Sequence, residues 1–156
     1  MIVLRKITRM FLLTLFGFFL HSQGFAQSDE AQVKEVLKKY HDAIEALDAT
    51  DTEMLFAENS AVFESGGVEG TYSNYLDHHL GPELKEFKSF TFNDYEISVM
   101  VDLPFAFTTE TYVYKIVLAD DGREIEQKGV ATSILKKTDG IWKIIQTHTS
   151  ARRIRK

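Results

Sequence analysis

The chain has no cysteine among its 156 residues. That excludes disulfides and thiol catalysis, so the fold must draw its stability from packing alone. Positive charge is also short. There are 18 Lys and Arg against 23 Asp and Glu, and an acidic balance argues against nucleic acid, whose phosphates need cationic cover. The basic cluster Arg152, Arg153, Arg155 and Lys156 reads as a solvated tail. No internal repeat, linker or low-complexity stretch breaks the chain. No nucleophile elbow supports Ser-His-Asp chemistry. No H-x-x-x-H or comparable spacing marks a metal.

What is present begins with an address. Arg5, Lys6 and Arg9 precede the apolar run Met10 to Leu20, and Gly24-Phe25-Ala26 offers small residues at a cleavage point. These are the three regions of a secretory signal peptide. The run falls short of the roughly 20 residues a spanning helix needs. The expectation is cleavage after Ala26 and export to the periplasm or the exterior, with no membrane attachment afterwards. The remaining 27–156 carries 15 Lys and Arg against the same 23 acids. About 130 residues suit one domain with one core.

Helical periodicity opens that domain. Val33, Val36, Leu37, Tyr40, Ile44 and Leu47 follow one face of a helix over Ser28 to Leu47, with Ser28 as N-cap and Asp29 and Glu30 in the first turn. Thr50 and Glu53 have capping-box spacing and predict a short helix from Glu53 to Glu58. Ser60 to Glu64 reads as a brief strand, and Gly66, Gly67 and Gly70 as turns. A third helix fits Ser73 to Leu80, ended or kinked by Gly81-Pro82, with one more turn over Glu83 to Phe87. Four long strands follow: Ser89 to Val101, Phe105 to Leu118, Glu124 to Lys137, and a last one after Asp139-Gly140. Helices segregated from an antiparallel meander define the α+β class.

In that order the chain resembles the nuclear-transport-factor-2-like superfamily and, within it, the SnoaL-like group. The opening helices with A-V-F-E-S-G-G-V-E-G, the helix Y-S-N-Y-L-D-H-H-L-G-P-E-L and the closing D-G-I-W-K-I-I-Q-T-H-T-S-A-R carry the likeness over roughly Asp29 to Arg153. The resemblance implies a cone-shaped curved sheet wrapped around the N-terminal helix, with a pocket at the wide mouth. It also implies a homodimer through the outer face of the sheet. Relatives include isomerases, dehydratases, cyclases and hydrolases, so the site must carry the functional argument. The carboxylate and tyrosine arrangement of the steroid-isomerase relatives does not match here residue by residue.

Candidate residues follow from faces. Trp142, Ile144, Gln146, His148 and Ser150 alternate onto one side of the last strand, apolar first and then polar. Tyr72, Tyr75, Leu76 and His79 share a helical stripe, and His78 sits about 100° away. Each histidine is either pocket-lining or a core residue with one backbone partner. Glu110 shares a strand face with Ala106, Thr108, Tyr112, Tyr114 and Ile116; which face points inward is open from pattern alone. Inward, Glu110 would be desolvated, raised in pKa and suited to acid–base work, with Tyr112 a donor beside it. Glu64 borders the glycine turn and is either a ligand contact or a loop carboxylate. Tyr40 follows the apolar stripe, and His41 is adjacent to it and marginal.

Two arrangements are therefore open. In one, His79, His148, Glu110 and Tyr112 act as acids and bases on a small, partly apolar ligand, contacted also by Tyr40, Glu64, Tyr75, His78, Trp142 and Gln146. In the other, His78, His79 and His148 hold a divalent metal such as zinc. A third reading is a non-catalytic binding or dimerisation module built on the outer sheet face with Thr109, Thr111 and Lys115.

Overall fold

The computed structural model describes residues 27–154. Residues 1–26, and with them the expected signal peptide, lie outside that range. Helix α1 spans Asp29–Glu45 and buries Val33, Leu37 and Ile44. Ser28 caps it, its hydroxyl accepting from the Ala31 amide at 3.2 Å. The predicted helix over Glu53 to Glu58 is only a 3-10 turn, Thr52–Leu55, led by Asp51 at φ 65° rather than by a Thr50 capping box. The reason lies in Phe56, which enters strand β1 (Phe56–Glu64) and stacks on the Tyr72 ring at 3.6 Å.

The glycine-rich stretch is not turn alone. Gly67–Gly70 forms strand β2, antiparallel to β1. Helix α2 (Tyr72–Tyr75), a π-helical turn (Leu76–Leu80) and helix α3 (Gly81–Glu86) follow. Gly81-Pro82 opens α3 instead of ending a helix, since proline is tolerated in a first turn. The long strands are β3 (Phe87–Asp102), β4 (Phe105–Leu118), β5 (Glu124–Thr138) and β6 (Ile141–Arg153).

All six strands make one sheet in the order β2-β1-β6-β5-β4-β3. The four long strands form the predicted antiparallel meander, and the sheet is mixed only because the short β1 pairs β6 in parallel. The sheet curls around α1. Val33, Leu37 and Ile44 pack there with Leu84, Ala106, Leu135, Trp142 and Ile144 in one core. At one end Asp29 accepts hydrogen bonds from Trp142 Nε1, at 3.0 Å, and from Lys137 Nζ, pinning the start of α1 to the β5–β6 hairpin. The cavity lies toward the other end of the helix.

Three one-residue insertions decide what faces that cavity. In β5–β6, Leu135 pairs Ile144 while Ile134 pairs Gln146, so Ile145 is an unpaired bulge residue. In β3–β4, Asn93 pairs Val113 and Glu96 pairs Thr111, so Asp94 and Tyr95 together oppose Tyr112. Asp94 there takes φ 50°. In the helical stretch, the Gly81 amide bonds the Leu76 carbonyl, five residues back. Each insertion moves the following side chains to another face.

Candidate active site

The cavity has a volume of about 380 Å³ and is walled by α1, β1, α3 and strands β3 to β6. Its lining is rich in aromatic rings, with Tyr40, Tyr75, Tyr112, Tyr114, Phe90 and Phe92 among the contributors. Three carboxylates, Glu64, Glu83 and Glu110, also open onto it.

Glu110 is the centre of the polar arrangement. Alternation along β4 buries Ala106, Thr108 and Glu110 and turns Phe107, Thr109 and Thr111 outward. The inward face is thus the one that holds Glu110 and Tyr112. The Tyr95 hydroxyl donates to Glu110 Oε2 at 2.8 Å, and His41 Nε2 stands 3.2 Å from the same oxygen. Both polar neighbours meet Oε2. Burial pushes the Glu110 carboxyl up to about 7, against the smaller lowering effect of the Tyr95 hydrogen bond. Burial likewise pushes His41 down to about 4. Attraction across 3.2 Å favours an ion pair, but taking two charges out of water is the larger cost. Near neutral pH the imidazole is uncharged and Glu110 is poised between its two states.

Aromatic packing holds this pair in place. The His41 ring stacks on Phe92 at 4.5 Å between centroids and meets Tyr95 edge-on at 4.8 Å. Tyr112 lines the cavity beside them and packs on Phe92 at 5.0 Å, but no hydrogen bond joins it to Glu110. Its ring lies across Gly129, its partner on β5. A Cβ added there would come within 2.1 Å of the ring, so only glycine leaves room for it. Burial also holds the Tyr112 hydroxyl above its ordinary pKa, as it does for Tyr95 and Tyr75.

A second polar pair lies on the same cavity. The Tyr75 hydroxyl donates to Glu64 Oε2 at 2.6 Å. Tyr40 also lines the cavity and packs edge-on against Phe56 and Tyr72.

The predicted convergence of histidines does not occur. The bulge at Ile145 leaves Trp142 and Ile144 inward but turns Thr147 and Thr149 to the cavity, so Gln146 and His148 are exposed on the outer face. His148 meets Phe63 there, at 6.5 Å between rings. Trp142 is buried at the Asp29 end and does not line the cavity. The π turn puts Leu80, not His79, on the buried face. His79 sits at the rim between Glu69, 3.2 Å from Nδ1, and Glu83, 3.3 Å from Nε2. Partial burial works against its charge, but Glu69, Glu83 and Glu64 together raise its pKa. His78 is exposed. The trio His78, His79 and His148 is therefore not brought together. Among the described residues no cluster of three or more His, Asp or Glu side chains has metal-holding geometry.

Sequence reasoning left His41 at the margin of the stripe and did not single out Tyr95. His41 carried a readable signal: it lies four residues after Leu37 and three before Ile44, within the buried stripe. Tyr95 carried a weaker one, the Asn93-Asp94 dipeptide inside a strand, since both residues tolerate positive φ.

A family model described as "SnoaL-like domain" matches residues 33–153. The chain belongs to the SnoaL-like family. A search of curated proteins finds no significant match. Among solved structures, a nuclear-transport-factor-2-like superfamily protein from Salmonella enterica superposes with a TM-score of 0.68 at 19% identity, over 80% of this chain and 89% of that one. A "putative ketosteroid isomerase" from Shewanella frigidimarina gives 0.67 at 23% identity, over 78% and 96%. A "putative dehydratase" from Streptomyces avermitilis gives 0.67 at 18%, over 78% and 94%. This SnoaL-like chain therefore has the α+β class that its order of elements predicted and the cone fold that its resemblance implied. Among its described residues no helix is long and apolar enough to cross a membrane.

Proposed function

We propose that this SnoaL-like protein binds a small, partly apolar molecule in the cone and moves a proton on it, with Glu110 as the acid–base group. The single observation behind this reading is the buried Glu110 carboxyl beside His41 on the cavity wall, with the half-exposed Tyr95 donating to it from outside the cavity. A carboxyl near pH 7 matches the pKa a general acid–base group needs at neutral pH. Ketone isomerisation and dehydration each need such a positioned group, and two structural neighbours bear names of those two kinds.

The test needs no prior substrate. Ring compounds bearing a ketone, of neutral, cationic and anionic character, are incubated in D2O with the protein, and exchange of their α-hydrogens is followed by NMR. Wild type should accelerate exchange of at least one of them by about a hundredfold or more over Glu110→Gln. Binding with no exchange anywhere in the panel would retire the acid–base reading.

A homodimer through the outer sheet face is a compatible second reading. Phe107 and Val130 are apolar yet 38% and 43% exposed there, beside Thr109 and Thr111. Light scattering that finds only monomer would remove it. The opening residues support export of this domain, and amino-terminal sequencing of secreted material starting elsewhere than Gln27 would count against that cleavage point.

A further inference from the structure

The cavity's charge is one-sided. Glu64, Glu83 and Glu110 line it, and no lysine or arginine does among the described residues. His79 stands 3.3 Å from Glu83, at the rim and 32% exposed along its side chain. Within the cavity Glu64 has a neutral partner, the Tyr75 hydroxyl.

Aromatic groups line the same cavity as that carboxylate. Tyr40, Tyr75, Tyr112 and Tyr114 share the cavity with Glu64, and its negative charge adds to burial in raising the pKa of each. Glu64 also helps to raise Glu83. Four tyrosine rings and a carboxylate partnered by a neutral hydroxyl thus share one cavity. Such a space repels an anion. It attracts a positive charge twice over, through the carboxylates and through the ring quadrupoles.

We propose that the ligand of this cavity is an organic cation, a protonated or quaternary amine on an apolar ring-sized body, with its charge seated against Glu64 among Tyr40, Tyr75, Tyr112 and Tyr114. The proposal rests on the reading of the cone as a ligand pocket and adds the charge class of the ligand. It leaves the proton-moving role at Glu110, on the β4 wall. A bound cation would also relieve the repulsion between Glu64 and Glu83.

The test compares three probes of near-equal shape by calorimetry at pH 7.5: (4-hydroxyphenyl)trimethylammonium, 4-tert-butylphenol and 4-tert-butylbenzoate. The first should bind at least about tenfold tighter than the second, and the third least. Glu64→Gln keeps the side-chain shape and an acceptor for Tyr75. It should bring the cation down to the affinity of the neutral phenol without weakening the phenol. If Glu64→Gln does not fold by circular dichroism, Tyr114→Leu takes its place, with the same loss of cation preference expected. Equal binding of cation and phenol overturns the charge assignment while leaving the cavity as a ligand site. Tighter binding of the benzoate also overturns it. Failure of all three probes to bind overturns it together with the pocket reading. Because Glu110→Gln is read by hydrogen exchange and Glu64→Gln by charge preference, the two proposals fail separately.

Discussion

His41 Nε2 and Glu110 Oε2 lie 3.2 Å apart although one residue comes from the N-terminal helix and the other from the middle of the sheet. Burial disfavours charge on both. Their effects on stability therefore run in opposite directions with pH.

Glu110 is protonated up to about pH 7 in the folded chain against an ordinary 4.5. Its share of stability is complete below about 4.5 and is lost as pH rises through 7. His41 is neutral down to about pH 4 against an ordinary 6.5, so its share is complete above 6.5 and is lost as pH falls toward 4. Between about pH 4.5 and 6.5 the two slopes oppose each other. Glu110→Gln should expose the His41 slope, with stability falling as pH drops. His41→Phe should expose the reverse. Each slope approaches about 1.4 kcal/mol per pH unit. Urea unfolding across pH 4.5 to 7.5 reads this directly; variants that keep the wild-type profile would refute the neutral pair.

Tyr95 sets the fine adjustment of that carboxyl. Its hydroxyl stabilises the ionised form and lowers the Glu110 pKa against the effect of burial. Tyr95→Phe should therefore move the Glu110 titration upward from about 7. Carbon-13 NMR of labelled glutamate side chains follows the shift, and a downward movement would contradict the bulge-directed contact.

Gly129 is required by a neighbouring ring, since its own backbone is not in the left-handed region. Gly129→Ala should destabilise by about 1–3 kcal/mol as Tyr112 is displaced. It should also disturb any ligand held by that wall. In a Tyr112→Ala background the same substitution should cost little. Chemical denaturation of the four members of the cycle would show coupling, and simple additivity would count against the contact.

Gly81 tests the π turn by the sign of one substitution. In an ordinary helix interior alanine is better than glycine by about 1 kcal/mol. Here a Cβ would come within 2.6 Å of the Leu76 carbonyl oxygen, a backbone atom that cannot swing away. Gly81→Ala should lower the melting temperature. A rise would mean the helix is regular there and that His79 is turned inward after all.

His148→Ala should leave ligand binding in the cone unchanged and alter stability by no more than about 0.5 kcal/mol, as for other surface positions. Any loss of cavity binding would place that ring inside and refute the bulge at Ile145.

Much of this molecule was legible as sequence. The stripe Val33, Leu37, Ile44 marked α1, and alternating β-formers bounded by Asp-Gly turns marked three of the four long strands to within a residue. Those signals are local, because helix and strand periodicity are properties of neighbouring residues. Which face of β4 turned inward was decided only when the curled sheet closed over α1 and buried Glu110. Three further decisions were also tertiary. Ile145 in β6, Asp94 in β3 and the π turn at Leu76–Leu80 each add one residue to an otherwise regular element. Together they sent His148 outward, brought Tyr95 to Glu110 and held His79 at the rim. A periodicity of two or of 3.6 says which residues share a face only while it runs unbroken. Where it breaks depends on pairing and packing with segments far away in the chain.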